Sequence, residues 1–177
     1  MNIDKVINEY EKVAMDNTQI MKALDGKTKI VLYTDLDKFK NIDELLHPHD
    51  NVVLLFQTTS QTFGHWTCLF KNKNIIYFFD SYALQPDQQI QFSPFLQKAT
   101  ERYILSNMLK TSGYLIKTNK TPYQHVSFKK HTEPNTCGRH CIIRLKMKHL
   151  DNEQYNNFMK SSHMDTDKLV SLMTFIL

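Results

Sequence analysis

The sequence predicts an α+β domain, a mixed and mainly antiparallel sheet flanked by helices. Three observations carry that prediction. Val52-Val53-Leu54-Leu55-Phe56 is an unbroken apolar run, the pattern of a central strand covered on both faces. Residues 64–70 and 75–79 are β-rich runs joined by a short polar stretch, which reads as an antiparallel hairpin. On either side of them apolar residues return at three- and four-residue spacing, the period of helices that pack on a sheet.

Taken in order, Ile3, Val6, Ile7, Tyr10 and Val13 form one stripe and predict an opening amphipathic helix. Residues 18–24 predict a second, short helix stopped at Asp25-Gly26. Residues 30–33 read as a strand, and 35–39 and 43–46 as helices of one or two turns. Pro48 and Asp50 break the chain before the 52–56 strand. A polar loop, 58–63, leads into the hairpin, whose second strand ends at Asp80-Ser81-Tyr82, and Pro86-Asp87 continue the loop. Residues 92–110 keep helical spacing (Phe95, Ala99, Tyr103; Leu96, Ile104, Met108), with Ser93 as cap and Pro94 at the first helical position. Residues 114–117 and 123–128 are short strand candidates. A helix from Cys137 places Cys141, Ile142, Leu145 and His149 at helical spacing with charged residues between them. Helices at 151–159 and 165–177 open on Asp caps. No repeat, low-complexity tract or linker interrupts the chain, so 1–177 reads as one domain: a helical segment over 1–29, a core over 30–150 and terminal helices over 151–177.

Composition bounds the function. The 177 residues are 41% hydrophobic and 23% charged, ordinary for a globular protein able to bury a core without staples. No apolar run reaches the length of a membrane span, and no signal-peptide pattern opens the chain, so no membrane partner is expected. Three cysteines, Cys68, Cys137 and Cys141, are too few and too odd in number for a disulfide framework and point to a reducing compartment. A net charge of +4 without any nucleic-acid motif argues against a non-enzymatic DNA-associated or capsid protein. Lys110, Lys117, Lys120, Lys129 and Lys130 form the most basic local run, read as a solvated face.

Chemistry concentrates at Asn135-Thr136-Cys137-Gly138-Arg139-His140-Cys141, where a polar turn becomes a helix. Thr136 stands at the N-cap position, which puts Cys137 in the first turn, where unpaired N–H groups and the helix dipole favour a thiolate. Gly138 has no Cβ, so a substrate backbone could pass close to the sulfur. His65 opens one hairpin strand and Asp80 closes the next, so they lie at the same end of neighbouring strands. With Cys137 facing the imidazole, this is a nucleophile, a base and a base-orienting acid. Two other readings exist. Cys137, His140 and Cys141 sit at i, i+3 and i+4 with His131 nearby and could bind zinc, although three ligands on one helix is unusual, and no metal or cofactor is expected. Cys68 and Cys141 read as core residues, the alternative for Cys141 being a regulatory disulfide partner.

Gly64-His65-Trp66, Phe79-Asp80-Ser81-Tyr82 and Thr136-Cys137-Gly138-Arg139-His140 resemble the His-Trp, Asp-Ser and Cys-Gly blocks of a cysteine-protease clan that contains adenain and the SUMO-deconjugating proteases. The likeness is nearest to the variants of virophages, Polinton-type elements and large DNA viruses, and extends to Tyr33-Thr34-Asp35-Leu36 and Ile42-Asp43-Glu44-Leu45-Leu46. The resemblance implies a papain-like cysteine-protease fold with 30–150 as catalytic core, Cys137 as nucleophile, His65 as base and then acid, and Asp80 as its orienter. It makes Trp66 an aromatic lid over a channel that admits only Gly or another small residue before the scissile bond. The family's oxyanion Gln stands a few residues ahead of the Cys, where this chain has Lys130 and His131. Gln124 is the preferred donor, with His131 as the alternative. The resemblance further implies that capsid or other virion precursors are the substrates, in virions or the host-cell cytoplasm. The alternative substrate is a SUMO- or ubiquitin-like protein with a Gly-Gly tail. DNA as an activator would rest on the Lys run alone.

Overall fold

Five strands lie side by side in chain order: β1 (Ile30–Leu32), β2 (Asn51–Gln57), β3 (Gly64–Asn72), β4 (Ile75–Phe79) and β5 (Leu115–Thr118). The structure is a computed structural model and describes residues 2–99, 103–125 and 135–177. The two central pairs, β2–β3 and β3–β4, are antiparallel, whereas the edge pairs β1–β2 and β4–β5 are parallel. Around the sheet lie α1 (Ile3–Glu11), α2 (Asn17–Ala23), α3 (Ile42–Leu46), α4 (Pro94–Ala99), α5 (Ile104–Lys110), α6 (Cys137–Lys146), α7 (Asn152–Ser161) and α8 (Thr166–Phe175). The α+β class with a mixed sheet flanked by helices is therefore the observed one. No described helix is long and apolar enough to cross a membrane.

Alternation along the strands builds two cores. On one face Val53, Leu55, Trp66, Cys68, Phe70, Tyr77 and Phe79 meet residues of α2, α6, α7 and α8. On the other, Val52, Leu54, Phe56, Leu69, Ile76 and Phe78 meet α3, α4, α5 and the 3-10 turn Tyr33–Lys38. Both sides of β2 are thus covered, which is why an unbroken apolar run suits it and every one of its residues is buried.

Helix α6 is buried from Gly138 through Leu145, Arg139 and Arg144 included, although the sequence spacing set its charged residues between core positions. Arg144 donates to the carbonyls of Met147 (3.0 Å) and Leu150 (2.9 Å), and its guanidinium lies over the rings of Phe70 and Tyr155. Carbonyls and ring faces replace the lost hydration, which permits a cation at a core position.

Four local expectations are corrected. Residues 92–110 do not form one helix: Tyr103 has φ +70°, a left-handed conformation that no α-helix continues through, and α4 and α5 lie on either side. Tyr123 and Gln124 are not in a strand; both backbone N–H groups donate to the Ser81 carbonyl, and residues 126–128 lie outside the described ones. Thr136 occupies the N-cap position without capping, because its hydroxyl donates to Asp167 instead. Ser93 likewise turns back to the Gln89 carbonyl. The Asp caps of α7 and α8 are present, and α2 carries a further capping box from Asp16 and Gln19.

Candidate active site

The turn that opens α6 is held from two sides. On the N-terminal side, the Asn135 N–H donates to the Glu11 carbonyl (2.8 Å), its Nδ2 to Lys12 (2.7 Å), and Arg139 Nη1 to Val13 (2.6 Å). On the other, buried Asp167 accepts from the Thr136 hydroxyl (2.6 Å), His140 Nε2 (2.8 Å) and the His125 N–H (3.0 Å). Burial alone would raise the Asp167 carboxyl, but these donors hold it below the usual carboxylate range. The turn that carries Cys137 is therefore a fixed platform between α1 and α8.

Strands β3 and β4 bring the other two groups to it. His65, near the start of β3, and Asp80, just past β4, approach with Nε2 and Oδ2 3.1 Å apart, although the ring N–H is not aligned for a good hydrogen bond. Asp80 Oδ1 accepts the Tyr82 N–H (2.6 Å) and Oδ2 accepts Gln89 Nε2 (2.7 Å), while Asn119 Nδ2 donates to the Asp80 carbonyl (2.7 Å). The Tyr82 ring stacks on the imidazole with centroids 4.9 Å apart. Nε2 faces Asp80, so Nδ1 is the nitrogen left for the Cys137 sulfur, with which His65 shares a hydrogen bond.

Electrostatics follow from that geometry. Burial works against the imidazolium, but the Asp80 charge 3.1 Å away, together with Cys137, overcomes it and pushes the His65 pKa up to about 10. Burial raises the Cys137 thiol, yet its hydrogen bond and charge interaction with His65 and the Trp66 and Gly138 backbone N–H groups bring it below the ordinary thiol range. Asp80 is lowered: burial opposes this, and His65 and Gln89 outweigh it. The stable form is a thiolate–imidazolium pair beside a carboxylate, able to add to an electrophilic carbonyl. Cys141, by contrast, is raised well above that range, by burial first and by its hydrogen bond to Cys68, and it is fully buried.

Gln124 lines the same cavity as Cys137 and His65, and Ser81 Oγ donates to its Oε1 at 2.7 Å. Ser81 thus sets which end of the amide is acceptor and which is donor. His131 lies outside the described residues. Trp66 is 6% exposed, and its Nε1 donates to the Met15 carbonyl (3.1 Å). At Gly138, the space expected for a substrate backbone is occupied: a Cβ there would stand 3.2 Å from Trp66 Cδ1 and 3.4 Å from Ile20 Cδ1. The glycine admits the indole beside the turn that carries Cys137.

Two roles escaped the sequence reading. Gln89, 3% exposed in the 3-10 turn Gln88–Phe92, steadies Asp80, and nothing in a Gln-rich loop signals that role. Gly64 enters the sequence pattern as the first residue of the block with His65 and Trp66, and its structural reason is steric: a Cβ there would stand 2.0 Å from the Phe56 carbonyl oxygen. As for metals, Cys137, His140 and Cys141 do not converge, since Cys137 turns to His65 and His140 to Asp167. Among the described residues, the group close enough to hold an ion is His125, Asp165 and Asp167, where hydrogen bonds already engage both Asp167 oxygens.

Two cavities share Cys137 in their lining. One, of about 260 Å³, runs past Trp66, Met15 and Leu55. The other, of about 480 Å³, runs past His65, Tyr82, Leu84 and Phe92.

No family model matches the chain. It is 35% identical over 178 residues to an uncharacterized protein, V9, of Sputnik virophage, covering 96% of this chain and 99% of that one. Among solved structures, an ASFV protease is similar at 12% identity and a TM-score of 0.49, covering 92% of this chain and 67% of that chain. A de-sumoylating protease gives 14% identity and a TM-score of 0.34, covering 96% and 71%.

Proposed function

We propose, for a chain that belongs to the family of the Sputnik virophage protein V9, that it is a cysteine endopeptidase acting on capsid or other virion precursors after Gly or another small residue. The observation that carries the reading is the half-buried His65 held between the Asp80 carboxylate and the Cys137 sulfur at the start of α6. In this reading the Cys137 thiolate adds to the scissile carbonyl carbon. The oxyanion is received by the Cys137 backbone N–H and the Gln124 amide. The His65 imidazolium protonates the leaving nitrogen as the C–N bond breaks, which leaves a thioester on Cys137. His65, now neutral, takes a proton from water, and the resulting hydroxide releases the acid and restores the thiolate.

The preference for a small residue is supported by the narrower cavity. Its indole wall is tied to the Met15 carbonyl and packed on Gly138, so Trp66 cannot swing aside for a side chain. The choice of virion precursors over a ubiquitin-like conjugate rests on the resemblance of the sequence blocks to the viral members of the clan.

The test incubates the reduced protein with virion precursor polypeptides and, separately, with a SUMO-type conjugate bearing a Gly-Gly tail. Expected are precursor fragments ending in Gly or another small residue, absent with Cys137→Ala. Cleavage of the conjugate alone moves the substrate to the deconjugating alternative. Cleavage of neither, with the Cys137 thiol intact, overturns the reading.

A further inference from the structure

The two cavities that share Cys137 are chemically distinct. In acyl transfer to Cys137 the acid-side residues stay on the sulfur, whereas the amine side leaves with the proton His65 delivers. The amine side must therefore pass the imidazole. The 260 Å³ cavity reaches Cys137 but not His65, and the 480 Å³ cavity reaches both. The larger cavity is thus the leaving side; Phe63 borders both cavities, whereas Leu84, the Tyr82 ring and Phe92, which is 64% exposed, belong to the larger one alone, opposite the polar Thr58 and Gln124. A large aromatic left in solvent beside a reactive thiolate is the kind of surface that a ligand covers.

The wall is also rigid. Phe92 ends the turn Gln88–Phe92, in which Gln89 is bonded to Asp80. Asp87, which precedes that turn, accepts from the Tyr33 hydroxyl (2.6 Å) and the Ser106 N–H (2.7 Å). The apolar wall and the triad carboxylate therefore move as one piece.

We propose that this cavity is a specificity pocket for a large apolar side chain in the first two residues after the scissile bond, with Leu84 and Phe92 as its determinants. The proposal rests on the endopeptidase reading, and it assigns the protein a second requirement, on the side of the cut opposite Trp66. A rigid apolar pocket of this size discriminates between a large apolar and a small polar residue by about tenfold or more in kcat/KM.

The experiment digests an amine-blocked, proteome-derived peptide library with the reduced protein and reads the newly created N-termini by mass spectrometry. It then compares synthetic peptides that differ only after the cut, with Phe, Leu, Ser or Lys. Expected is enrichment of Phe, Leu, Ile or Met in the first two new residues, and a Phe-to-Ser ratio in kcat/KM of about ten or more. Phe92→Ser should reduce that ratio to less than about threefold; Phe92 is largely exposed, so its replacement leaves the core intact. New N-termini without apolar enrichment, or a ratio that Phe92→Ser leaves intact, overturn the pocket while the endopeptidase stands. An absence of any cleavage with Cys137 reduced overturns both.

Discussion

Asp80 keeps a proton on His65 that burial alone would expel: the carboxylate oxygen stands 3.1 Å from Nε2, and the imidazole pKa lies at about 10 instead of below its ordinary value. The same carboxylate is braced by the Gln89 amide and the Tyr82 N–H, so its position does not depend on the histidine. The consequence reaches Cys137, whose thiolate is stable because the imidazolium is.

Thiol chemistry should report this directly. Cys137 is lowered and His65 raised, so the pair persists from below the ordinary thiol range up to about pH 10. Wild-type protein should therefore be alkylated by iodoacetamide at Cys137 below the pH at which an ordinary thiol reacts, with the buried Cys68 and Cys141 inert. In Asp80→Asn the largest contribution that offsets burial is gone and only Cys137 remains, so the imidazole becomes neutral at lower pH and alkylation should rise only at higher pH than in wild type. Peptide hydrolysis should fall about 10²–10⁴-fold in that variant. An unchanged alkylation profile would disprove the coupling.

Gln124 and Ser81 make a graded pair. In the proposed mechanism Gln124→Ala removes an oxyanion donor, and it should cost about 10²–10³ in kcat with little change in KM. Ser81→Ala leaves the amide in place but removes the bond that orients it, and should cost about tenfold, the scale of one hydrogen bond. Equal losses would mean that Ser81 acts otherwise.

Gly64 tests how tightly the base is positioned. A Cβ would lie 2.0 Å from the Phe56 carbonyl oxygen and 2.8 Å from Gln57 Cα, both backbone atoms that no rotamer change moves aside. Gly64→Ala must push β3 from β2 at the residue before His65. It should destabilise by more than the ~1–3 kcal/mol of ordinary overpacking and abolish hydrolysis. Thermal melts and a peptide assay check both; a variant of native stability and activity would contradict the close approach.

The sequence made the centre of this structure readable and its supports unreadable, for physical reasons. Cys137, His65 and Asp80 are brought together because a hairpin has predictable geometry and a helix start has a predictable field. The β2 run, the paired strands and the Asp caps are local patterns, visible in a few residues. The burial of Arg139 and Arg144 leaves no local mark, because it depends on the Val13 carbonyl and Tyr10 ring for the first and on the Phe70 and Tyr155 rings for the second. The break at Tyr103 carries no Gly or Pro, so helical spacing ran straight across it. Thr136 lost its capping role to Asp167, a tertiary partner no local rule supplies.

That tertiary partner has a measurable weight. Asp167 accepts three hydrogen bonds beneath the nucleophile turn, and Asp167→Ala leaves the Thr136 hydroxyl, His140 ring and His125 N–H without their acceptor. The Thr136 and His140 donors are buried and each costs about 1–3 kcal/mol when orphaned, whereas the His125 N–H lies nearer solvent, so a loss of about 2 kcal/mol or more is expected. For a chain of this size that lowers Tm by about 4–8 °C. The pH dependence follows from its depressed carboxyl. The unfolded carboxyl binds its proton near pH 4, above the folded one, so the stabilisation is complete above about pH 4 and fades as pH falls through the folded value. Melts from pH 7 to 3 should show wild type losing stability below about pH 4 and Asp167→Ala, already weakened, losing less. Parallel curves would show that the carboxylate is not the group through which acid loosens the nucleophile turn.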